Sequence, residues 1–214
     1  MKDVIDLTLP LGPGLPLYPG DPPPEAERLS SLSDGDLVTA SSFRMGAHVG
    51  THVDLPAHFV EGGKTLGGYP VAAFLGPATV LDLTDLRRAI DADRLARETL
   101  PKDRHILLKT RNSSFLRNPG FTDDFVFLER DAAARILARK PRSIGIDYYS
   151  LDPAGTRTFP SHRLCAEQGL PVFVCLDLGR AAPGAYQFAG LPLNYPALEG
   201  VPVRAILWRE PTGP

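Results

Sequence analysis

The chain has 214 residues, 43% hydrophobic and 22% charged, with a formal net charge of −2. That balance suits a globular chain with a real core, read as a single domain over 1–214, and excludes a disordered or low-complexity protein. Lysine and arginine are scattered with no basic run, so no nucleic acid and no membrane is expected as a partner.

The first predicted element, Val4-Ile5-Asp6-Leu7-Thr8-Leu9, reads as a short strand that Pro10 ends. The N-terminus carries no apolar signal segment and no window reaches transmembrane length, so a cytoplasmic location is expected. From Gly12 to Pro24 the chain is dense in glycine and proline and reads as a loop lying over something. Further strands are predicted at 78–83, 106–110, 143–147, 172–176 and 203–208, each an apolar run between turn residues. Helices are predicted over 131–139 and 93–100, and from His162 to Glu167 with Ser161 as its cap. Strands and helices alternate in part, which favours an α/β fold with an irregular mixed sheet. Cys165 and Cys175 are read as two buried thiols, too few for a disulfide framework.

Of the five histidines, three fall in His48-Val-Gly-Thr-His52-Val-Asp54-Leu-Pro-Ala-His58. An extended 48–54 would put His48, His52 and Asp54 on one face, with Gly50 between them leaving room for an ion. Two imidazoles and a carboxylate suit zinc or manganese and leave a position for water, whose pKa such an ion lowers to about 7. His58, beyond the chain reversal at Pro56, suits a general base and then a general acid. His105 has no partner in sequence and is read as structural.

At these residues the chain resembles the cyclase family of metal-dependent hydrolases, which includes kynurenine formamidases and isatin hydrolases. The family signature His-x-Gly-Thr-His-x-Asp-x-Pro-x-His-Phe is filled at every fixed position, from His48 to Phe59. Tyr18-Pro19-Gly20-Asp21 resembles the family's substrate-covering loop, and Gly145 to Asp152 its Gly-x-Asp-x-x-Ser-x-Asp segment. His162-Arg163, Leu191-Pro192-Leu193 and Pro202-Val203-Arg204-Ala205 match later positions.

The resemblance implies an α/β fold of mixed sheet or partial barrel with flanking helices, of the swivelling β/β/α kind. It implies metal ligands His48, His52 and Asp54, a proton-carrying His58, and His162 as a further ligand or a hydrogen-bond partner. The family's second ion also needs a glutamate, and that position holds Val174 here, so one divalent ion, Zn2+ or Mn2+, is expected. Tyr18 stands where relatives carry a bulky tryptophan, and is expected to contact substrate. Homodimers or larger homo-oligomers are implied, with 1–24 reaching toward a neighbouring subunit. The implied activity is hydrolysis of a small arylformamide or cyclic amide, metal-bound hydroxide attacking the carbonyl while His58 shuttles the proton. The alternatives are cyclase or dehydratase chemistry, which the same signature could serve, and a catalytically impaired metal-binding homologue, which Val174 favours.

Overall fold

Short apolar runs punctuated by glycine and proline favour strands over long helices, and strands dominate the computed structural model, which describes residues 4–118 and 120–210. Met1, Lys2 and Asp3 of the N-terminal segment lie outside the described residues. In chain order the elements are β1 (Ile5–Asp6), β2 (Glu25–Ser30), β3 (Ala40–Arg44), β4 (His52–Asp54), β5 (Leu75–Asp82) and β6 (Ala89–Ile90). There follow α1 (Ala92–Ala96), β7 (His105–Lys109), β8 (Phe127–Leu128), α2 (Arg130–Leu137) and β9 (Ser143–Ile146). The chain ends with α3 (Pro160–Glu167), β10 (Val172–Val174), β11 (Gly184–Pro192) and β12 (Gly200–Trp208).

The main sheet runs β12, β11, β5, β7, β9, β10, β4, and β4 pairs back with β12, so seven strands close into a barrel. β1 adds to the outer edge of β12. The β5, β7, β9 and β10 pairings are parallel and the remaining ones antiparallel. This is the expected mixed sheet and barrel with flanking helices. β2 and β3 form a separate two-stranded ribbon.

Strand periodicity divides the core into two layers. Val53, Leu107, Phe173, Phe188 and Leu207 point into the barrel. Ile106, Leu108, Ile144, Ile146, Val172 and Val174 point outward, beneath Leu95 of α1, Ala132, Ala133 and Ile136 of α2, and Cys165 of α3. Each fully buried leucine or phenylalanine side chain contributes about 1.5–3 kcal/mol relative to exposure. A third cluster, Leu9, Leu116, Phe125, Tyr148, Tyr149 and Cys175, lies under the loop before Pro24, with Leu15 and Tyr18 packed on it. Tyr149 donates its hydroxyl to the Pro16 carbonyl. The loop does lie over something.

Four expectations need correction. The first strand is confined to Ile5–Asp6. The strand expected over 172–176 stops at Val174, because Cys175 turns out of it with a φ of 54°. The helix expected over 93–100 spans Ala92–Ala96. Ser161 is not the cap of α3: it lies inside the helix and its hydroxyl donates to the Leu128 carbonyl at 2.7 Å. Asp152 performs the capping from outside the helix, accepting from the Ser161 and His162 N–H groups at 2.8 and 3.0 Å. Among the described residues, no helix is long and apolar enough to cross a membrane.

Candidate metal centre

The site lies on the outer wall of the barrel at β4, between the N-terminal loop and α3. Val53 faces the barrel interior, so His52 and Asp54, its neighbours on either side, face outward. His48 reaches them by a route the strand pattern does not foresee. Residues 47–51 are turn and bend, not strand, and Gly50 takes a φ of 71°. The shared-face argument for 48–54 therefore fails for His48. Gly50 serves the turn, in a left-handed conformation that side chains disfavour. Thr51 fastens the turn, accepting from the Leu9 N–H at 2.9 Å and donating to the Cys175 carbonyl at 2.7 Å.

The turn folds the His48 ring back over β12. Gly200 pairs with Asp54 across the β4–β12 ladder. A Cβ on Gly200 would lie 2.1 Å from His48 Cε1, so the imidazole occupies the space where any other residue would have a side chain. His48 Nδ1 then sits 2.8 Å from Asp54 Oδ1, and His52 Nε2 sits 3.2 Å from the same oxygen. His162 approaches from α3, with Nε2 at 3.6 Å from the other oxygen, Oδ2.

The far nitrogen of each ring is also engaged. His52 Nδ1 lies 2.8 Å from the Gly50 carbonyl, His162 Nδ1 lies 2.7 Å from Asp152 Oδ2, and His48 Nε2 lies 3.3 Å from Glu199 Oε1. With an ion bound, each far-side acceptor would hold its ring's N–H and leave the nitrogen that faces Asp54 free to ligate, the arrangement that supports metal-ligating histidines. His162 Nε2 is buried and has no hydrogen-bond partner among the described residues.

Electrostatics favour a cation here. Burial works against the Asp54 charge, but the His52 and His48 imidazoles outweigh it and hold the carboxyl well below its usual range. Burial likewise opposes a proton on His48, but Asp54 and Glu199 overcome it and raise the ring's pKa. The same attraction that favours a proton on His48 would favour a divalent ion in its place. The donor atoms of His48, His52 and Asp54 lie within 4.8 Å of one another. These residues fit a divalent ion. The donor atoms of His48, His58 and Glu199 are as close together, but His58 lies at the open side of the pocket and His48 Nδ1 is turned toward Asp54, so the trio with buried His52 and Asp54 is the better cradle.

His58 closes a short 3-10 turn, Pro56–His58, directly after β4. Its ring stacks on His48 with centroids 3.9 Å apart. Desolvation on that face pushes its pKa down to about 4, helped by His48, His162 and His52 and opposed by Asp54. The pocket of about 420 Å³ beside these groups is lined by Tyr18, Asp21, Phe59, Tyr149, Ser150 and Phe159 together with the histidines. Phe59 stacks on His162 at 4.6 Å, and Tyr18 is held edge-on by Phe121 at 5.2 Å.

All the candidate residues, His48, His52, Asp54, His58, His162 and Tyr18, thus converge on one pocket. Val174 is directly opposite His52 in the β10–β4 ladder, on the same outward face, and brings no donor. Cys175 lies off the strand in the cluster beneath the N-terminal loop, and burial together with the nearby Asp54 charge pushes its thiol pKa well up, so it brings no thiolate. Glu199 carries no sequence signal, and the motif that ends at Asp152 does not reveal its contact with His162. One is separated from its histidine by most of the chain, and the other acts through a helix terminus.

The model of the Cyclase family matches residues 5–153. The kynurenine formamidase of Bordetella avium (strain 197N) is 31% identical over 207 residues, covering 97% of this chain and 98% of that protein. A solved potential metal-dependent hydrolase with cyclase activity is 29% identical with a TM-score of 0.82, covering 96% of this chain and 98% of the other. The isatin hydrolase A of Ralstonia solanacearum shares the fold, with a TM-score of 0.84 at 23% identity over 97% of this chain and 92% of its own. The chain belongs to the Cyclase family.

Proposed function

We propose that this protein hydrolyses a small aryl amide or lactam, using one divalent ion held by His48, His52 and Asp54 and a proton carried by His58. The observation that carries the reading is the convergence of His48 Nδ1 and His52 Nε2 on Asp54 Oδ1, with both far nitrogens fixed by acceptors. Its amide side is supported by likeness to a kynurenine formamidase over nearly the whole chain. Zinc and manganese both accept this donor set.

When bound, such an ion supplies Lewis acidity toward a carbonyl and lowers the pKa of water to about 7. The chain's own residues do the rest. His58, unprotonated at neutral pH, takes the proton released as water adds to the carbonyl, then returns it to the departing nitrogen. Tyr18, Phe59, Tyr149 and Phe159 give the pocket walls suited to an aryl ring. His162, whose free Nε2 faces Oδ2, lies outside the compact trio and acts as a hydrogen-bond partner to water or substrate.

The test is an absorbance assay of formanilide, isatin and an open-chain keto acid with metal-loaded protein. The reading expects turnover of at least one of the two amides, falling about 10²–10⁴-fold in His58→Ala with metal content unchanged. Turnover of the keto acid alone would assign cyclase or dehydratase chemistry instead. Full activity in His58→Ala would remove that residue from the mechanism.

A further inference from the structure

Of the two carboxylates on the pocket wall, Asp54 is engaged by histidines and Asp21 is not. The three buried or half-buried histidines are engaged at their far nitrogens, and Ser150 Oγ accepts from the Asp152 N–H at 3.0 Å. Asp21 is fixed by its backbone, whose N–H closes a turn onto the Tyr18 carbonyl at 3.0 Å, with Gly20 at a φ of 99°. Asp21 lines the pocket, and among the described residues no donor bonds its carboxylate. It is half-buried, and the His48 and His52 imidazoles act on it across the pocket against the desolvation that raises its pKa. A rigid turn thus presents an acceptor with unused lone pairs to the space where substrate must lie.

We infer that Asp21 is a specificity-determining residue that accepts a hydrogen bond from the N–H of the scissile amide. The inference rests on the proposed amide hydrolysis and narrows its substrate class to secondary amides: arylformamides and lactams whose nitrogen carries a hydrogen. An ionised carboxylate is an acceptor and offers nothing to an ester oxygen or an N-alkylated nitrogen. The N–H is the one donor that a formanilide and an isatin-like lactam share. Replacing that hydrogen by a methyl group leaves a partly desolvated carboxylate unpaired, which is how a site rejects an analogue lacking the matching group. The same charge disfavours substrates with a free carboxylate next to the scissile bond.

The test compares each N–H amide with its N-methyl counterpart: formanilide with N-methylformanilide, and isatin with N-methylisatin. Ratios of kcat/KM are measured for the metal-loaded wild type, Asp21→Ala and Asp21→Asn. Intrinsic reactivity differences cancel when one protein's ratio is divided by another's. The wild-type preference for N–H is expected to exceed that of Asp21→Ala by about 10–100-fold, the range for a hydrogen bond to a charged group. Asp21→Asn, which keeps a carbonyl acceptor, is expected between the two. Metal content is expected to be the same in all three proteins. An equal ratio in wild type and Asp21→Ala, with both still turning over amide, overturns this inference and leaves the amide reading standing. Loss of the ion from Asp21→Ala also overturns it, because the residue would then be a ligand. No turnover of any amide by the wild type defeats the amide reading, and this inference with it.

Discussion

Val174 lies directly across the β10–β4 ladder from His52, on the face that carries Asp54, and contributes a hydrocarbon where a second donor set would need a ligand. On the Oδ2 side of Asp54, His162 Nε2 is the nearest free donor. Two protein ligands hold an ion weakly, so occupancy at the trio alone is expected. Val174→Glu adds the missing carboxylate and should raise the bound zinc from one ion per chain to two. An isolated buried carboxylate is costly, so the variant is also expected to be less stable than wild type without metal and to regain stability as metal is added. Elemental analysis with thermal melts checks both; a stoichiometry of one at saturating zinc would show that the position does not face a second ion.

Asp152 holds α3 and His162 at once, through the Ser161 and His162 N–H groups and through His162 Nδ1. Burial opposes its charge, but the hydrogen bond and charge of His162 keep its pKa below the usual value. Asp152→Asn should lower activity about 10–100-fold through a misdirected His162. It should also cost roughly 1–3 kcal/mol of stability through an imperfectly paired helix terminus. The ion is expected to stay. Its loss from this variant would make His162 a ligand of the first ion.

His105 sits within the fold with Nδ1 2.7 Å from Ser143 Oγ, against Phe173 and Phe188, away from the candidate site. Burial pushes its pKa down to about 4 from 6.5, with the Leu75 carbonyl opposing the shift. The folded protein keeps this ring neutral while the unfolded chain protonates it below about 6.5. Its neutral burial therefore imposes no penalty above that pH, and stability is lost as pH falls toward 4, by about 2 kcal/mol at pH 5. Urea denaturation at pH 7 and pH 5 checks this. His105→Gln should show a smaller stability difference between the two pH values than wild type; an equal difference would remove His105 as the source.

The readable parts of the sequence were those where one local rule decides. The runs behind β7 and β9 are apolar because those strands are covered on both faces. α2 shows its stripe because a single face of it is buried. The histidine signature named the donor residues, but their geometry was not local. His48 joins Asp54 through a left-handed turn at Gly50 and a bare Gly200 in a distant strand, neither of which strand periodicity encodes. β4 is three residues long and is placed by pairing with both β10 and β12. β11 includes glycine and proline and owes its place to its neighbours in the barrel rather than to propensity. Glu199 looks like an ordinary surface acid in the sequence, and the motifs that contain Asp21 and Asp152 do not tell what either carboxylate faces.

The most direct measurement is elemental analysis of protein purified without chelator, alongside Asp54→Ala prepared identically. One divalent transition metal per wild-type chain is expected, and none in the variant, because Asp54 Oδ1 is the point on which both imidazoles close. Wild-type protein that carries no such metal and takes up none from added zinc or manganese would contradict it, as would an Asp54→Ala variant that binds metal as tightly as the parent.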